Sequence, residues 1–383
     1  MLKIPLFVSE ILDTLNTAGY DAYLVGGPVR DMLLGLAPKD YDITTNATPD
    51  IIKQLFTKTV DTGIKHGTVT VVTAGGNVEI TTYRKEDDYS DFRHPKNVEY
   101  VSDLKTDLSR RDFTVNAIAY NEKAGVVDLF GGTDDLKRKT LKAVGDPKKR
   151  FSEDALRILR LYRFASTLSF AIEENTNLAA LSLSNNLKNI SVERIREEIK
   201  KAINGKNPSA LSPLLKTNCL EFLSIKDGNT DNLTKLSPGI IRLFDFLENC
   251  TTDYEKAVKG LKLSSKEENY LFSMHKLNAV SPPENKEQIK RLLIDYSEVF
   301  PDYLLYKNTV KENTDKTKKL YYEITNSNEP YRISDLALTG EDLKNMGLKG
   351  EEIGKVLRRA QAVVIKNKND NNKKTLLQIL NID

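Results

Sequence analysis

Near Asp146 the apolar residues of this chain change their spacing, and that change limits the folds open to it. Ahead of it, short runs read as strands because they are apolar throughout or alternate polar with apolar residues. These are residues 21–27 (DAYLVGG), 39–45 (KDYDITT), 68–74 (TVTVVTA), 77–84 (NVEITTYR), 114–120 (TVNAIAY) and 125–130 (GVVDLF). Ala74, Gly75, Gly76 and Asn77 between two of them form a hairpin turn. Polar, charge-rich residues 85–109 interrupt the pattern and read as a long mobile loop. From Ser152 onward the apolar spacing is helical, giving helices at 153–164, 192–203, 286–300 and 350–365, and a shorter one at 254–261. The expected class is α+β, a small mixed-sheet domain followed by an elongated helical portion.

A chain of 383 residues can bury more than one core, and 39% hydrophobic with 29% charged residues excludes disorder as the default. Lys and Arg number 57 against 54 Asp and Glu, a net charge of +3 that neither demands nor excludes a polyanionic partner. Cys219 and Cys250 have no metal-site spacing and read as buried thiols in a reducing compartment. The start, MLKIPLFVSEIL, reads as an amphipathic helix rather than a signal peptide, since Glu10 and Asp13 interrupt its apolar stretch. No apolar run approaches the roughly 20 residues needed to span a bilayer. The expected location is the cytoplasm, with no membrane contact.

Asp40 and Asp42 carry the first chemical signal. Residues i and i+2 of a strand project from one face, so two carboxylates there can share a pair of hard cations. Such a pair of ions stabilises the entering and leaving oxygens of an in-line phosphoryl transfer. An acidic alternation on an exposed edge is the plainer account. Upstream, LVGGPVRD (24–31) runs from a strand through Gly26 and Gly27 into a helix with proline at its first position. Glycines there admit a triphosphate close to the backbone, and the helix start favours its charge. An ordinary strand–turn–helix with Gly35 as its C-cap uses the same residues.

In order along the chain, GGPVRDMLLG, KDYDITTNATP, RRDFTVNAIAY and EDALRILRLYRF resemble the motifs of class II tRNA nucleotidyltransferases, the CCA-adding enzymes. These belong to the polymerase-β-type nucleotidyltransferase superfamily, with bacterial poly(A) polymerases. The resemblance runs over residues 24–203, with a weaker echo in the last fifty; Pro28 departs from the small residue expected there. It implies a catalytic head (1–147), a base-recognising neck (148–205), a helical body (206–330) and a tRNA-binding helical tail (331–383). It implies that Asp40 and Asp42 hold two Mg²⁺ ions, with Glu79 as a third catalytic carboxylate. Gly26, Gly27 and Arg30 would meet the triphosphate, Arg111 the incoming nucleotide and Asp112 its ribose.

Within the last motif Asp154, Arg157, Arg160 and Arg163 follow at i, i+3 spacing, a slowly winding helical stripe opposite Leu156, Leu159, Leu161 and Phe164. A carboxylate acceptor beside an arginine donor fits the N4 amino group and N3/O2 acceptors of cytosine. It fits the N6 amino group and N1 of adenine equally well. Uracil and guanine place an oxygen opposite the carboxylate, a mismatch costing on the order of 1–3 kcal/mol per group. One surface can thus take CTP and ATP and refuse UTP and GTP, with Arg160 and Arg163 nearer the phosphates or ribose. A solvated Asp–Arg ion pair is the plain alternative.

The full-length 85–109 segment matches the loop that in the family serves the switch from C to A addition. SVERIREE (191–198) reads as a Ser191-capped helix with Arg194 and Glu198 paired at i, i+4, a structural element. His66, His94 and His275 are too scattered for a metal site. Three rival readings remain: a poly(A) polymerase, an A-adding enzyme completing ends begun by another, and a catalytically silent RNA-binding protein. TGIKHGTV (62–69) resembles the CCA-adding group rather than the poly(A) polymerases. The expected partners are the 3′ end of tRNA with CTP and ATP as substrates, and no protein partner is implied. Lys355, Arg358, Arg359, Lys366, Lys368, Lys373 and Lys374 offer a non-specific grip on an RNA backbone.

Overall fold

Six of the strand-like runs enter one seven-stranded mixed sheet in the computed structural model, which describes residues 2–89, 95–310 and 313–382. Its order is β3 (Thr59–Gly63), β4 (Thr68–Thr73), β5 (Gly76–Thr82), β2 (Tyr41–Thr45), β1 (Ala22–Val25), β8 (Ile118–Asn121) and β9 (Gly125–Asp128). Only β2 and β5 run parallel. α1 (Leu6–Thr17) buries Val8, Ile11, Leu12 and Leu15, one helical stripe, and packs on β1. α2 (Gly27–Leu33) leaves β1 through Gly26, and α3 (Pro49–Leu55) follows β2. The C-terminal end of α2 closes as expected: Gly35, at φ +73°, and Leu36 donate their N–H groups to Met32 and Asp31 carbonyls.

The segment read as a mobile loop folds differently. β6 (Arg84–Tyr89) and β7 (Pro95–Tyr100) form an antiparallel ribbon, and α4 (Leu104–Ser109) follows, capped by the Asp103 carboxylate. A two-stranded ribbon pairs only with itself, so its polar sequence shows no alternation to betray it. Asp91, Phe92, Arg93 and His94 lie outside the described residues. Residues 114–116 form a 3₁₀ turn rather than the start of a strand.

Helices begin earlier than the spacing suggested. α5 (Gly132–Lys137) is followed by α6 (Pro147–Glu153) and α7 (Leu156–Leu168), while β10 (Thr140–Leu141) and β11 (Ala171–Ile172) make a short parallel pair. One expected helix at 153–164 is therefore two, broken at Asp154 and Ala155. α8 (Glu174–Ser182), α9 (Val192–Ile203), α10 (Ser212–Leu215), α11 (Ile240–Asn249) and α12 (Tyr254–Gly260) continue the chain. α13 (Ser265–Asn278), α14 (Lys286–Tyr296), α15 (Phe300–Thr309), α16 (Asp315–Asn326), α17 (Gly340–Asn345), α18 (Glu351–Lys366) and α19 (Lys373–Leu380) complete it. The expected 286–300 helix stops at Tyr296, and α15 starts with proline as its second residue.

Two compact units result: Met1–Thr234 with Asn249–Lys262, and Lys235–Glu248 with Leu263–Asp383. In the second, Phe244 meets Tyr306 edge-on at 4.9 Å, and Phe300 lies against Tyr303 and Tyr321. Leu336, Leu338, Leu343, Val356, Ala360, Val364, Leu376 and Leu380 form a separate buried cluster near the C-terminus. Both cysteines are buried, as expected.

Candidate active site

Strand β1 ends where the chain must turn sharply, and Gly26 makes the turn at φ +80°, ψ −129°. A Cβ there would sit 3.0 Å from Arg111 Nη1 and 3.6 Å from the Asn116 carbonyl oxygen. Glycine thus serves both the backbone conformation and the close approach of a guanidinium. Asp42 is the second residue of β2, beside Glu79 of β5 in parallel register. Asp40 lies one residue ahead of the strand, not within it, and is exposed. Burial pushes the Asp42 carboxyl up to about 6; Arg111 draws it down, while Glu79 and Asp40 add like charge.

Arg111 belongs to a turn fastened from several sides. Its Nη2 is 3.6 Å from Asp107 Oδ2, and its Nε is buried with no hydrogen-bond partner among the described residues. Asp107, fully buried, also accepts bonds from Arg110 and from the Thr44 hydroxyl. Arg150 Nη1 donates to the Ser109 carbonyl, and Arg157 Nη2 to the Arg110 carbonyl.

Asp112 is bound as a protein ion pair: Arg160 donates Nε and Nη2 to its Oδ2, at 2.9 and 2.7 Å. Burial alone would raise the Asp112 carboxyl. The Arg160 charge and bonds from Asn116, Arg160 and the Phe113 N–H instead hold it at about 2. Asn116 Oδ1 in turn accepts from Arg30 Nη1, and Arg30 Nε and Nη2 both reach Asp31. A polar residue inside the apolar run TVNAIAY is the sequence signal for Asn116, and nothing in the sequence marks Asp107.

The neck-side motif is arranged otherwise than a continuous helical stripe requires. Asp154 sits in the break between α6 and α7, so its relation to Arg157 is not that of neighbours on one helix. Arg157, 8% exposed, donates to the Arg150 and Arg110 carbonyls and to Glu153. The Asp154 carboxylate instead accepts from the Leu156 N–H and from Arg194 Nη2. The expected Arg194–Glu198 pair does not form. Arg163 Nε takes Glu198 Oε2 at 2.5 Å, an ion pair outside hydrogen-bond direction, which leaves Arg194 for Asp154. Ser191 stands at the N-cap of α9, but its hydroxyl makes no cap bond. Arg30, Arg160 and Arg163 all lie over the Phe164 ring, at 5.1, 5.5 and 3.7 Å from its centroid.

A cleft of about 1010 Å³ opens onto Asp40, Asp42, Gly27, Arg30, Arg163 and Phe164. Lys39, Lys139, Lys201 and Lys206, all exposed, line it too, and their ammonium groups form no ion pair among the described residues. Carboxylates and cations lining one cleft are what a magnesium-triphosphate substrate requires. Among the described residues no cluster of three His, Cys, Asp or Glu side chains is drawn together tightly enough to hold a metal ion. No described helix is long and apolar enough to cross a membrane.

Residues 22–142 match the family model of the poly A polymerase head domain. Residues 169–224 match that of the probable RNA and SrmB-binding site of polymerase A. The CCA-adding enzyme of Enterococcus faecalis is 34% identical over 387 residues, 96% of this chain and 94% of that one. That of Lactobacillus helveticus is 54% identical over 191 residues; in this match the chain spans about half of the relative, 48%. The crystal structure of the Bacillus stearothermophilus CCA-adding enzyme in complex with CTP matches at TM-score 0.82 and 30% identity, over 99% of this chain and 97% of that one.

Proposed function

The chain belongs to the CCA-adding enzymes, and from that premise we propose that it adds C, C and A, taken from CTP and ATP, to the 3′ end of tRNA. The observation that carries the reading is the cleft itself, lined by Asp40, Asp42, Arg30, Arg163 and four lysines without an ion pair among the described residues. Polymerase-β-type nucleotidyltransferases generally use divalent metals. Asp42, crowded by Asp40 and Glu79 and drawn down by Arg111, is a donor set a divalent cation would relieve. Asp40 and Asp42 would hold two Mg²⁺ ions beside Glu79, and when bound such ions offset charge on the transferring phosphoryl group.

This chain's residues do the rest of the positioning. Gly26 and Gly27 admit the triphosphate, Arg30 and Arg163 face it across the cleft, and Arg111, kept beside Asp42 by Asp107, reaches the incoming nucleotide. Asp112 is bound to Arg160, so a ribose contact by Asp112 would have to share that carboxylate. Asp154 and Arg157 flank the base site, Asp154 as acceptor. The lysines at the cleft suit the phosphates of the RNA end, a screened, sequence-independent attraction. The division into head (1–147), neck (148–205), body (206–330) and tail (331–383) is part of the same reading. The separate C-terminal hydrophobic cluster supports a tail with its own core. Of the basic tail residues, Lys368 and Lys373 are occupied by Glu329 and Asp342, while Arg358 is exposed.

The test is incorporation of labelled CTP into tRNA lacking its last three nucleotides. The wild-type chain should be active with Mg²⁺ and silent in chelator. Asp42→Ala should lose about a thousandfold in rate, several kcal/mol of barrier, with tRNA affinity retained. Near-normal turnover by Asp42→Ala would overturn the assignment.

A further inference from the structure

Asp154 is placed in a helix break, where no turn of helix fixes the direction of its carboxylate. Two bonds do so instead. Oδ1 accepts the Leu156 N–H at 3.0 Å, and Oδ2 accepts Arg194 Nη2 at 3.3 Å from α9, forty residues onward. Arg157 cannot take this part while it serves two backbone carbonyls and Glu153. Glu198, the partner that helical spacing offers Arg194, is held by Arg163.

We propose that Arg194 is a positioning residue for nucleotide selection: it aims the Asp154 carboxylate at the base and keeps a cation beside it. The inference rests on the reading of Asp154 as the base acceptor. As a structural staple the pair would be poor, because its side chains retain 28% and 17% exposure and the bond is long. Its guanidinium is also not spent. Nη1 is buried with no hydrogen-bond partner among the described residues, leaving an uncommitted donor next to the acceptor. A carboxylate rotated away from the base would still bind nucleotide through the triphosphate. What is lost is the penalty against uracil and guanine, which depends on the carboxylate facing their oxygen.

The experiment measures kcat/KM for CTP against UTP, and for ATP against GTP, with the full-length chain and tRNA ends cut to the appropriate length. Arg194→Ala should shrink both ratios by about tenfold, the effect of one misdirected charged hydrogen bond. Arg194→Lys, which keeps the cation and one donor, should recover part of the loss. In an Asp154→Ala background, Arg194→Ala should add no further loss, since the two act as one unit. Ratios unchanged in both Arg194 variants, with Asp154→Ala showing the loss alone, would overturn the role of Arg194. Ratios unchanged in Asp154→Ala would overturn the base-acceptor reading itself, a separate result. A lowered melting temperature with intact ratios would mark Arg194 as structural and contradict the proposal. Arg194→Lys decides the matter if Arg194→Ala does not fold.

Discussion

At the scale of single residues the site depends on how closely groups approach, and Gly26 shows it best. Alanine at that position would adopt a strained φ and press its methyl against Arg111 Nη1. The strain costs about 1–3 kcal/mol, and displacing Arg111 removes the counter-charge of Asp42. Gly26→Ala should therefore lower kcat/KM for CTP and ATP alike by tenfold or more, with selectivity between bases unchanged; steady-state kinetics checks this, and full activity would contradict it. The sequence supplied the identities of these residues through motif order, since Asp40, Asp42, Arg30 and Arg163 do line one cleft. It could not supply their partners. Spacing paired Arg194 with Glu198 and Asp154 with Arg157. The helix break and the nearness of α7 to α9 reassign them to Arg194–Asp154 and Arg163–Glu198. Pairing across elements is decided by packing, which no local spacing encodes.

At the scale of elements, amphipathic helices were the most legible. α9 runs over the residues its spacing marked, and α18 differs by one at each end, because a buried stripe every 3.6 residues is a strong signal. The ribbon of β6 and β7 was not legible, for its charge-rich sequence shows no polar–apolar alternation. In the second unit a charge cluster ties three segments: Glu329 accepts from Lys286 and Lys368 and pairs with the buried Lys290. Burial alone would raise the Glu329 carboxyl, but these three lysines hold it at about 2, below its ordinary 4.5. The folded state thus favours the ionised form. Its contribution is complete above about pH 4.5 and fades as pH falls toward 2. Glu329→Gln leaves Lys290 without its carboxylate and should cost about 3 kcal/mol at pH 7. Urea unfolding of that unit across pH checks this: the gap between wild type and variant should narrow steadily as pH falls from about 4.5 toward 2. A gap undiminished at pH 2.5 would contradict the assignment.

At the scale of the whole molecule, a net charge of +3 said little, and the distribution of charge says more. Carboxylates and lysines share one cleft, whereas part of the basic C-terminal stretch is tied up in ion pairs within the chain. In the proposed reading this cleft completes CCA and then stops. Two tRNA substrates test it most directly, one ending at the base before the CCA and one ending in CC. Each is incubated with Mg²⁺ and CTP, ATP or both. Two cytidines should appear on the first with CTP alone, and a single complete CCA with both nucleotides. One adenosine should appear on the second with ATP alone. Long adenosine tails from ATP alone, or no cytidine on the first substrate, would contradict it.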